Sequence, residues 1–256
     1  MGRFDLTDFE WSVIQPLLPT KVRGVKRACD RRVLNGIFWR LRTGAPWADI
    51  PARYGPYTTC VNRFNRWRRA GVWKHILDAV SVAYEGGIQM IDSSSIRVHQ
   101  HGANGKKKTS DPALMGHSRG GLTTKIHALV DAMGMPIMLK LTEGQAADGR
   151  SAVDMFDTVG KGDILLADRA YDSDALRAEM DARGAWANIR AMPQRVIKPV
   201  FSHFLYKHRN LVERFFNKLK HFRAVATRYD QRDDNYLASV QLASIRIWLR
   251  HNESVA

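Results

Sequence analysis

The order of hydrophobic periodicities between residues 88 and 189 most constrains what this chain can fold into. Strand-like apolar runs cover five segments: 88–98, 122–130, 136–141, 164–167 and 186–189. Helical spacing covers 148–159 and 173–182, between the later strands. Three strands followed by alternating helices and strands are typical of a mixed sheet covered by helices. Periodicity alone therefore predicts an α/β fold.

The N-terminal third has helical periodicity instead. Thr7 and Glu10 form a capping-box pattern, followed by apolar residues at helical spacing to Pro19. A second helix is predicted from Asp30 to Arg42, with Gly44 as its end. The composition changes from Trp- and Arg-rich to strand-like around residues 85–87. We therefore expect a small all-α domain over 1–85 and an α/β domain over 86–256.

A helix-turn-helix-like pattern lies inside the N-terminal domain. A short helix is predicted over 47–54, a turn at Gly55, and then a basic helix that places Arg63, Arg66 and Arg69 on its exposed side. Spacing alone leaves two interpretations open, a DNA-reading helix and an ordinary solvated helical face.

The charge of the chain favours a polyanionic partner. Forty Lys and Arg residues against 25 Asp and Glu give a formal net charge of +15 and a pI near 10.2. Both predicted domains carry an excess of basic residues. Attraction to phosphate and counterion release make nucleic acid the expected partner.

The two cysteines and the absence of long apolar runs narrow the cellular setting. Cys29 and Cys60 do not form a Cys-x-x-Cys pair, and no signal peptide is recognised at the N-terminus. No apolar run approaches the roughly 20 residues that span a bilayer. We expect a reducing, cytoplasmic location, in association with the nucleoid, and no membrane partner.

Two aspartates directly follow apolar strand residues. Asp92 comes after Met90-Ile91, and Asp168 comes after Ile164–Ala167. Each could be a turn or capping residue, or a metal ligand at the carboxyl end of a strand, where open α/β sheets place their ligand sites. Asp172, which precedes the helix from Ser173, is interpreted as an N-cap.

A third acid, Glu213, is the only carboxylate between Asp181 and Asp230, where there are eleven Lys and Arg residues. On a helix, Tyr206, Arg209 and Lys220 fall within about 40° of Glu213, and apolar residues occupy the opposite face. Arg209 and Lys220 are therefore either phosphate contacts or solvated helix-face residues. A helix with one apolar and one functional face is predicted.

Converging carboxylates repel one another unless cations lie between them. Mg²⁺ prefers hard oxygen ligands and shares its coordination shell with phosphate, with Mn²⁺ as a substitute. Two such ions about 4 Å apart can activate a nucleophile and stabilise a leaving oxygen. If the three acids converge, the sequence predicts phosphoryl transfer at a DNA phosphodiester.

The segment Tyr206–Lys220 has the pattern Y-x2-R-x3-E-x6-K, and in this respect the chain resembles the DDE transposases of the insertion-sequence-5 type, relatives of the insertion-sequence-4 type. Further similar stretches are Leu6–Pro19, Asn35–Trp73, Ile91–Gln100, Ser118–His127, Leu166–Asp172 and Ala226–Asp230. The resemblance implies a ribonuclease H-like catalytic domain. It also implies that Asp92, Asp168 and Glu213 are the catalytic, metal-binding acids and that Tyr206, Arg209 and Lys220 contact DNA.

The stretch Ser118–His127 adds two candidate phosphate contacts, Arg119 and Lys125, beside a Gly-Gly pair that allows close backbone approach. It lacks the spacing of a nucleotide-binding P-loop.

The resulting hypothesis is a DNA transposase that cuts at the ends of its insertion sequence and joins the 3′ ends to target DNA. Its partners would be double-stranded DNA, both the terminal inverted repeats and the target. By analogy, a homodimer would hold the paired ends. Two alternatives stay open: a domesticated or decayed, non-catalytic DNA-binding protein, and a nuclease on the same fold.

Overall fold

The structure is a computed structural model that describes residues 2–19, 28–81, 87–103, 114–118 and 120–255. Its α-helices are α1 Asp8–Ile14, α2 Asp30–Thr43, α3 Tyr57–Arg69, α4 Val72–Ser81, α5 Gln100–Ala103, α6 Asp148–Ser151, α7 Asp174–Ala182, α8 His203–Tyr206, α9 Asn210–Lys220, α10 Arg223–Ala226 and α11 Asp233–Val255. Its strands are β1 Ile88–Val98, β2 Gly116–Ser118, β3 Gly121–Val130, β4 Pro136–Glu143, β5 Ile164–Ala167, β6 Trp186–Ile189 and β7 Thr227–Arg228.

The chain divides into two compact units. The helical unit contains Met1–Val82, His99–Gly105 and Leu219–Ala256, and the sheet unit contains Ala83–Val98 and Lys106–Lys218. This division differs from the predicted one because the C-terminal segment groups with the N-terminal helices. The predicted boundary between residues 85 and 86 lies outside the described residues.

In the helical unit, local signals set the ends of α1 and α2. The capping box is confirmed: Thr7 Oγ1 accepts from the Glu10 backbone N–H at 3.0 Å, and Glu10 accepts from the Thr7 N–H at 2.8 Å. Gly44 ends α2 in the left-handed region, with φ of 74°, as predicted.

Helix α11 explains why the C-terminal segment belongs to the helical unit. Its side chains are buried nearly all round, and such a helix must be covered by other elements; here it packs against α1 and α4. The buried Arg246 guanidinium pairs with the buried Glu10 carboxylate at 2.9 Å and so ties α11 to α1.

Two predicted helices are shorter than expected. The segment 47–54 forms two single 3₁₀ turns, Trp47–Asp49 and Ala52–Tyr54, because Pro51 between them lacks a backbone N–H donor. The segment 148–159 forms α6 and a 3₁₀ turn, Val153–Met155. The apolar residues of this segment are still buried in the core, but the α-helix ends at Ser151.

The sheet unit has the predicted mixed sheet, with strand order β2-β3-β1-β5-β6 and β4 paired to β3. Strands β1, β3 and β4 are antiparallel neighbours, whereas β1, β5 and β6 run parallel. The predicted strands over 88–98, 164–167 and 186–189 are confirmed residue for residue. Strand β2 is an addition that the sequence analysis did not predict.

One face of this sheet is covered by the segment from α6 through α7. The buried cluster includes Ile91, Leu129, Phe156, Leu165 and Met180. Because side chains alternate along a strand, burying Ile91 in this cluster turns Asp92 toward the other face of the sheet.

The β3–β4 hairpin turn helps to position α9. Asp131 Oδ1 accepts from the backbone N–H groups of Met133 and Met135, both at 2.8 Å. Gly134 has φ of 74°, and a Cβ there would lie 3.0 Å from the Leu211 carbonyl oxygen. A residue without a side chain therefore allows the turn to touch the start of α9.

None of the helices in the described residues is long and apolar enough to span a membrane.

Candidate active site

The strand register brings two of the three predicted acids together. Strands β1 and β5 are parallel, and Met90 pairs with Leu166. Asp92 and Asp168 each follow two residues later, so they lie at the same level and on the same face of neighbouring chain segments. The two carboxylates also repel each other, and the negative charge of Asp168 acts to raise the pKa of Asp92.

Asp92 is a largely buried carboxylate. Burial raises its pKa above the ordinary value of 3.8, and the Arg209 guanidinium opposes that rise. Asp92 Oδ1 accepts from the Ser93 backbone N–H at 2.8 Å, and Oδ2 accepts from Arg209 Nη1 at 2.7 Å. These two donors fix the carboxylate at the end of its buried stretch of strand.

Arg209 connects Asp92 to the third acid. Its Nη2 donates to Glu213 Oε1 at 2.5 Å, while Nη1 holds Asp92. The predicted shared face of Arg209 and Glu213 is therefore present, although Tyr206–Arg209 is divided between α8 and a 3₁₀ turn. Helix α9 begins only at Asn210 and buries Val212, Phe215, Phe216 and Leu219 on its other side. One guanidinium thus bridges two acids 121 residues apart in sequence.

Asp168 has an oxygen suited to a cation. Its Oδ1 accepts from the Ala170 backbone N–H at 2.9 Å and caps a 3₁₀ turn. Its Oδ2 accepts no hydrogen bond within the part of the chain that the structure describes. Carboxylate oxygens are the ligands that Mg²⁺ prefers, so the donor set of Asp92, Asp168 and Glu213 fits this ion chemically.

No three His, Cys, Asp or Glu side chains of the described residues lie close enough together to hold one ion jointly. Arg209 lies between two of the predicted acids, because its guanidinium bonds both the Asp92 and the Glu213 carboxylates. Joint binding of an ion by the three acids would require this bridge to open.

Sequence reasoning missed a group of polar residues beside Asp92. Ser93 Oγ donates to Asp148 Oδ1 at 2.9 Å, and Lys125 Nζ donates to the same oxygen at 2.9 Å. The buried Tyr171 hydroxyl lies near Ser93 without a hydrogen bond of regular geometry. Its pKa is raised, first by burial and then by Asp148, Asp92 and Asp168. The sequence contained no spacing pattern that predicts this group, because its members are far apart along the chain.

Asp172 has a different role from the predicted N-cap. Ser173 caps α7, with Oγ accepting from the Leu176 N–H at 3.2 Å. The fully buried Asp172 side chain instead pairs with Arg177 at 2.9 Å and Arg195 at 3.0 Å. Both carboxylate oxygens of Asp172 are therefore used in structural ion pairs, whereas Asp168 Oδ2 accepts no hydrogen bond from the described residues.

The other predicted DNA contacts divide by exposure. Arg66, Arg69 and Lys220 are exposed, and Tyr206 is half-buried beneath Arg209, 5.8 Å from its ring centre to the guanidinium carbon. Lys125 is mostly buried against Asp148, and Arg119 lies outside the described residues.

The predicted exposure of Arg63 is wrong. Its side chain is buried, pairs with Asp30 and stacks over the Trp67 ring at 5.1 Å. Helical spacing placed Arg63 near the solvent side of α3, but α2 covers that position and supplies a carboxylate.

One acid within β1, a second directly after the parallel strand β5 and a third on α9 are the arrangement of a class of DNA-processing enzymes. Residues 84–248 match the family model described as "Transposase DDE domain", and residues 6–77 match "Putative transposase of IS4/5 family". The chain belongs to this family, the DDE transposases of the IS4/5 group. The predicted function, a DNA transposase, is confirmed.

Individual relatives agree with this assignment. A Brucella ovis protein named "Putative transposase for insertion sequence element IS6501" is 39% identical over 130 residues, which are 50% of this chain and 100% of the relative. A Burkholderia cepacia protein, "Insertion element IS402 uncharacterized 16.2 kDa protein", is 34% identical over 111 residues, 38% of this chain and 76% of its own length.

Among solved structures, a cryo-EM structure of the piggyBac transposase synaptic complex with hairpin DNA is similar at a TM-score of 0.57 and 10% identity. The similarity covers 96% of this chain and 71% of that one. It confirms the predicted ribonuclease H-like α/β fold class.

Proposed function

We propose that Asp92, Asp168 and Glu213 carry the catalytic chemistry of this transposase, which cuts at the ends of its insertion sequence and joins the 3′ ends to target DNA. The observation that carries the proposal is the parallel register of β1 and β5, which sets Asp92 beside Asp168, together with the Arg209 bridge from Asp92 to Glu213.

The three acids would hold divalent cations, Mg²⁺ or in its place Mn²⁺. Two bound ions supply charge stabilisation for the attacking and leaving oxygens of a phosphodiester. Asp168 Oδ2, which accepts no hydrogen bond from the described residues, and the exposed Glu213 carboxylate provide oxygen donors. The raised pKa of Asp92 indicates a carboxylate that gains from a nearby cation.

The overall reaction needs no high-energy cofactor. In cleavage, a water oxygen bonds to the phosphorus and the bond from phosphorus to the 3′ oxygen breaks, which leaves a 3′ hydroxyl. In joining, that hydroxyl oxygen bonds to a target phosphorus and the target's own 3′ oxygen leaves. One phosphodiester replaces another in joining, so ATP is not required. Arg209 is placed to offset negative charge at Asp92 and Glu213.

The helical unit would bind the element ends. Arg66 and Arg69 are exposed on α3, and their charges suit phosphate contacts. Tyr206 and Lys220 would contact the DNA near the acids. Since two ends must be joined in one event, a homodimer would hold them together.

The test compares Glu213→Gln with Glu179→Gln. Both changes remove a partly exposed carboxylate that pairs with an Arg four residues away on the sheet unit. Glu213→Gln should lower Mg²⁺-dependent cleavage of end-containing DNA by at least about 100-fold. Its DNA affinity should hold or rise, because the change removes negative charge from a basic segment. The Glu179 variant should cleave normally.

Near-normal cleavage by Glu213→Gln would exclude Glu213 as the third acid. Cleaved ends that never join a target would instead support a nuclease, and wild-type binding without any cleavage would support a non-catalytic DNA-binding protein.

A further inference from the structure

Lys125 was a candidate phosphate contact, but its ammonium group has other partners. Nζ donates to Asp148 Oδ1 at 2.9 Å and to the Ala146 carbonyl at 2.7 Å. The Lys125 side chain is 16% exposed and that of Asp148 is 19% exposed. With two close acceptors and little solvent contact, this ammonium is directed into the protein rather than toward a DNA backbone.

Ser93 links this ion pair to the proposed catalytic acid. Its hydroxyl donates to Asp148 Oδ1 at 2.9 Å, and its backbone N–H donates to Asp92 Oδ1 at 2.8 Å. Ser93 pairs with His127 across the sheet, and Lys125 lies two residues from His127 on β3. The ion pair therefore contacts the Ser93 hydroxyl on the face of the sheet that Ser93 shares with Ile91, and it connects to Asp92, on the other face, through the Ser93 backbone.

Charge also connects Asp148 to the acids. Asp148, Asp92 and Asp168 each act to raise the pKa of the buried Tyr171 hydroxyl. Among themselves they would repel, and a positive side chain within this group lowers that cost. Arg209 supplies it at Asp92, and Lys125 supplies it at Asp148.

We propose that Asp148, held by Lys125, is a positioning residue that orients Ser93 and through it the Asp92 carboxylate for divalent-cation binding. This inference rests on the proposed function, since it concerns how the same acids are prepared for their cation. It assigns Lys125 to the support of the acid cluster and removes it from the DNA contacts. Outer groups of this kind typically change metal affinity or activity by about 10–100-fold when removed.

The test uses Lys125→Met and Asp148→Asn, with Lys140→Met and Asp154→Asn as matched controls. Lys140 also lies on this hairpin, donates to a backbone carbonyl, and pairs with an aspartate at 2.6 Å, but that pair is more exposed and has no contact to Ser93. The Mg²⁺ concentration for half-maximal cleavage should rise roughly 10-fold or more in the Lys125 and Asp148 variants. It should stay unchanged in both controls.

Two readouts do not depend on catalysis. The rise in melting temperature on adding Mg²⁺ should be smaller in Lys125→Met and Asp148→Asn than in the wild type. The dependence of DNA affinity on salt, measured without Mg²⁺, should keep its wild-type slope in Lys125→Met. A slope smaller by about one would show that Lys125 contacts a phosphate and would overturn the inference.

Folding is checked separately. If Lys125→Met does not fold, Lys125→Arg and Ser93→Ala take its place: the arginine should retain Mg²⁺ affinity, and the alanine should lose it. Unchanged Mg²⁺ dependence in every folded variant of the chain Lys125–Asp148–Ser93 would refute the positioning role. If the wild type itself cleaves without a divalent cation, the proposed function fails instead, so the two failures are distinguishable.

Discussion

Replacing Arg209 by Gln should destabilise the cation-free protein, and Mg²⁺ should restore much of the loss. Arg209 bonds Asp92 at 2.7 Å, with both side chains mostly buried, and bonds Glu213, whose side chain is 54% exposed. The first contact is a charge-assisted hydrogen bond worth about 1.5–3 kcal/mol. The second is a screened helix pair worth about 0.3–0.5 kcal/mol.

Their loss amounts to about 2–3.5 kcal/mol, or a fall in melting temperature of roughly 4–14 °C for a chain of this size. A ligand at 100 times its dissociation constant stabilises a protein by about 2.7 kcal/mol, which is of the same size. Under the proposed function, cation binding in the wild type opens the Arg209 bridge, whereas in Arg209→Gln the two carboxylates have already lost their arginine partner. The Mg²⁺-induced rise in melting temperature should therefore be larger in the variant.

The assay is thermal unfolding by calorimetry, in EDTA and in saturating Mg²⁺. Arg177→Gln is the matched control, because Arg177 pairs with the buried Asp172 in the same unit. It should also destabilise the protein, but Mg²⁺ should not restore the loss. Equal Mg²⁺ shifts in the wild type and Arg209→Gln would refute the idea that Arg209 and a cation compete for the same carboxylates.

Two further predictions concern DNA binding and pH. Arg66→Ala and Arg69→Ala should each lower the salt-dependence slope of DNA binding by about one. Arg63→Ala should leave that slope unchanged but lower the free energy of unfolding in urea by about 3 kcal/mol, because its ion pair is buried. Equal slopes for all three variants would contradict this. Burial lowers the pKa of His127 from 6.5 to about 4. Above pH 6.5 the imidazole is neutral in both states and costs no stability. As the pH falls from 6.5 toward 4, the unfolded chain takes up a proton that the folded protein does not, so the folded protein loses stability. The loss should reach about 2 kcal/mol by pH 5 and should disappear in His127→Gln when urea unfolding is compared at pH 7.5 and pH 5.

Local signals in the sequence were sufficient for much of the fold. The capping box at Thr7 and Glu10, the left-handed Gly44 and the strands over 88–98 and 164–167 all lie where the pattern predicts them. Such features depend on residues within a few positions of one another, so periodicity and spacing contain them. Helix α11 was missed, because its buried side chains, which include Arg246 and two serines, lie all round the helix and do not form the one-sided apolar stripe that periodicity detects.

The candidate site follows the same division. The sequence by itself determined the α/β class, the family, and the placement of Asp92 on a strand, Asp168 directly after another strand and Glu213 on a helix. Only the tertiary structure decided that Arg209 bridges Asp92 and Glu213, that Arg63 is buried, and that Lys125 serves Asp148.

The physical reason is that the state of a charged side chain depends on its partners. A helix or strand pattern shows which face a residue occupies, but it does not show which carboxylate another segment brings to that face. Arg209 is 117 residues from Asp92, and Lys125 is 23 residues from Asp148. Burying either cation is favourable only once the fold has delivered the opposite charge, so these roles belong to the tertiary structure.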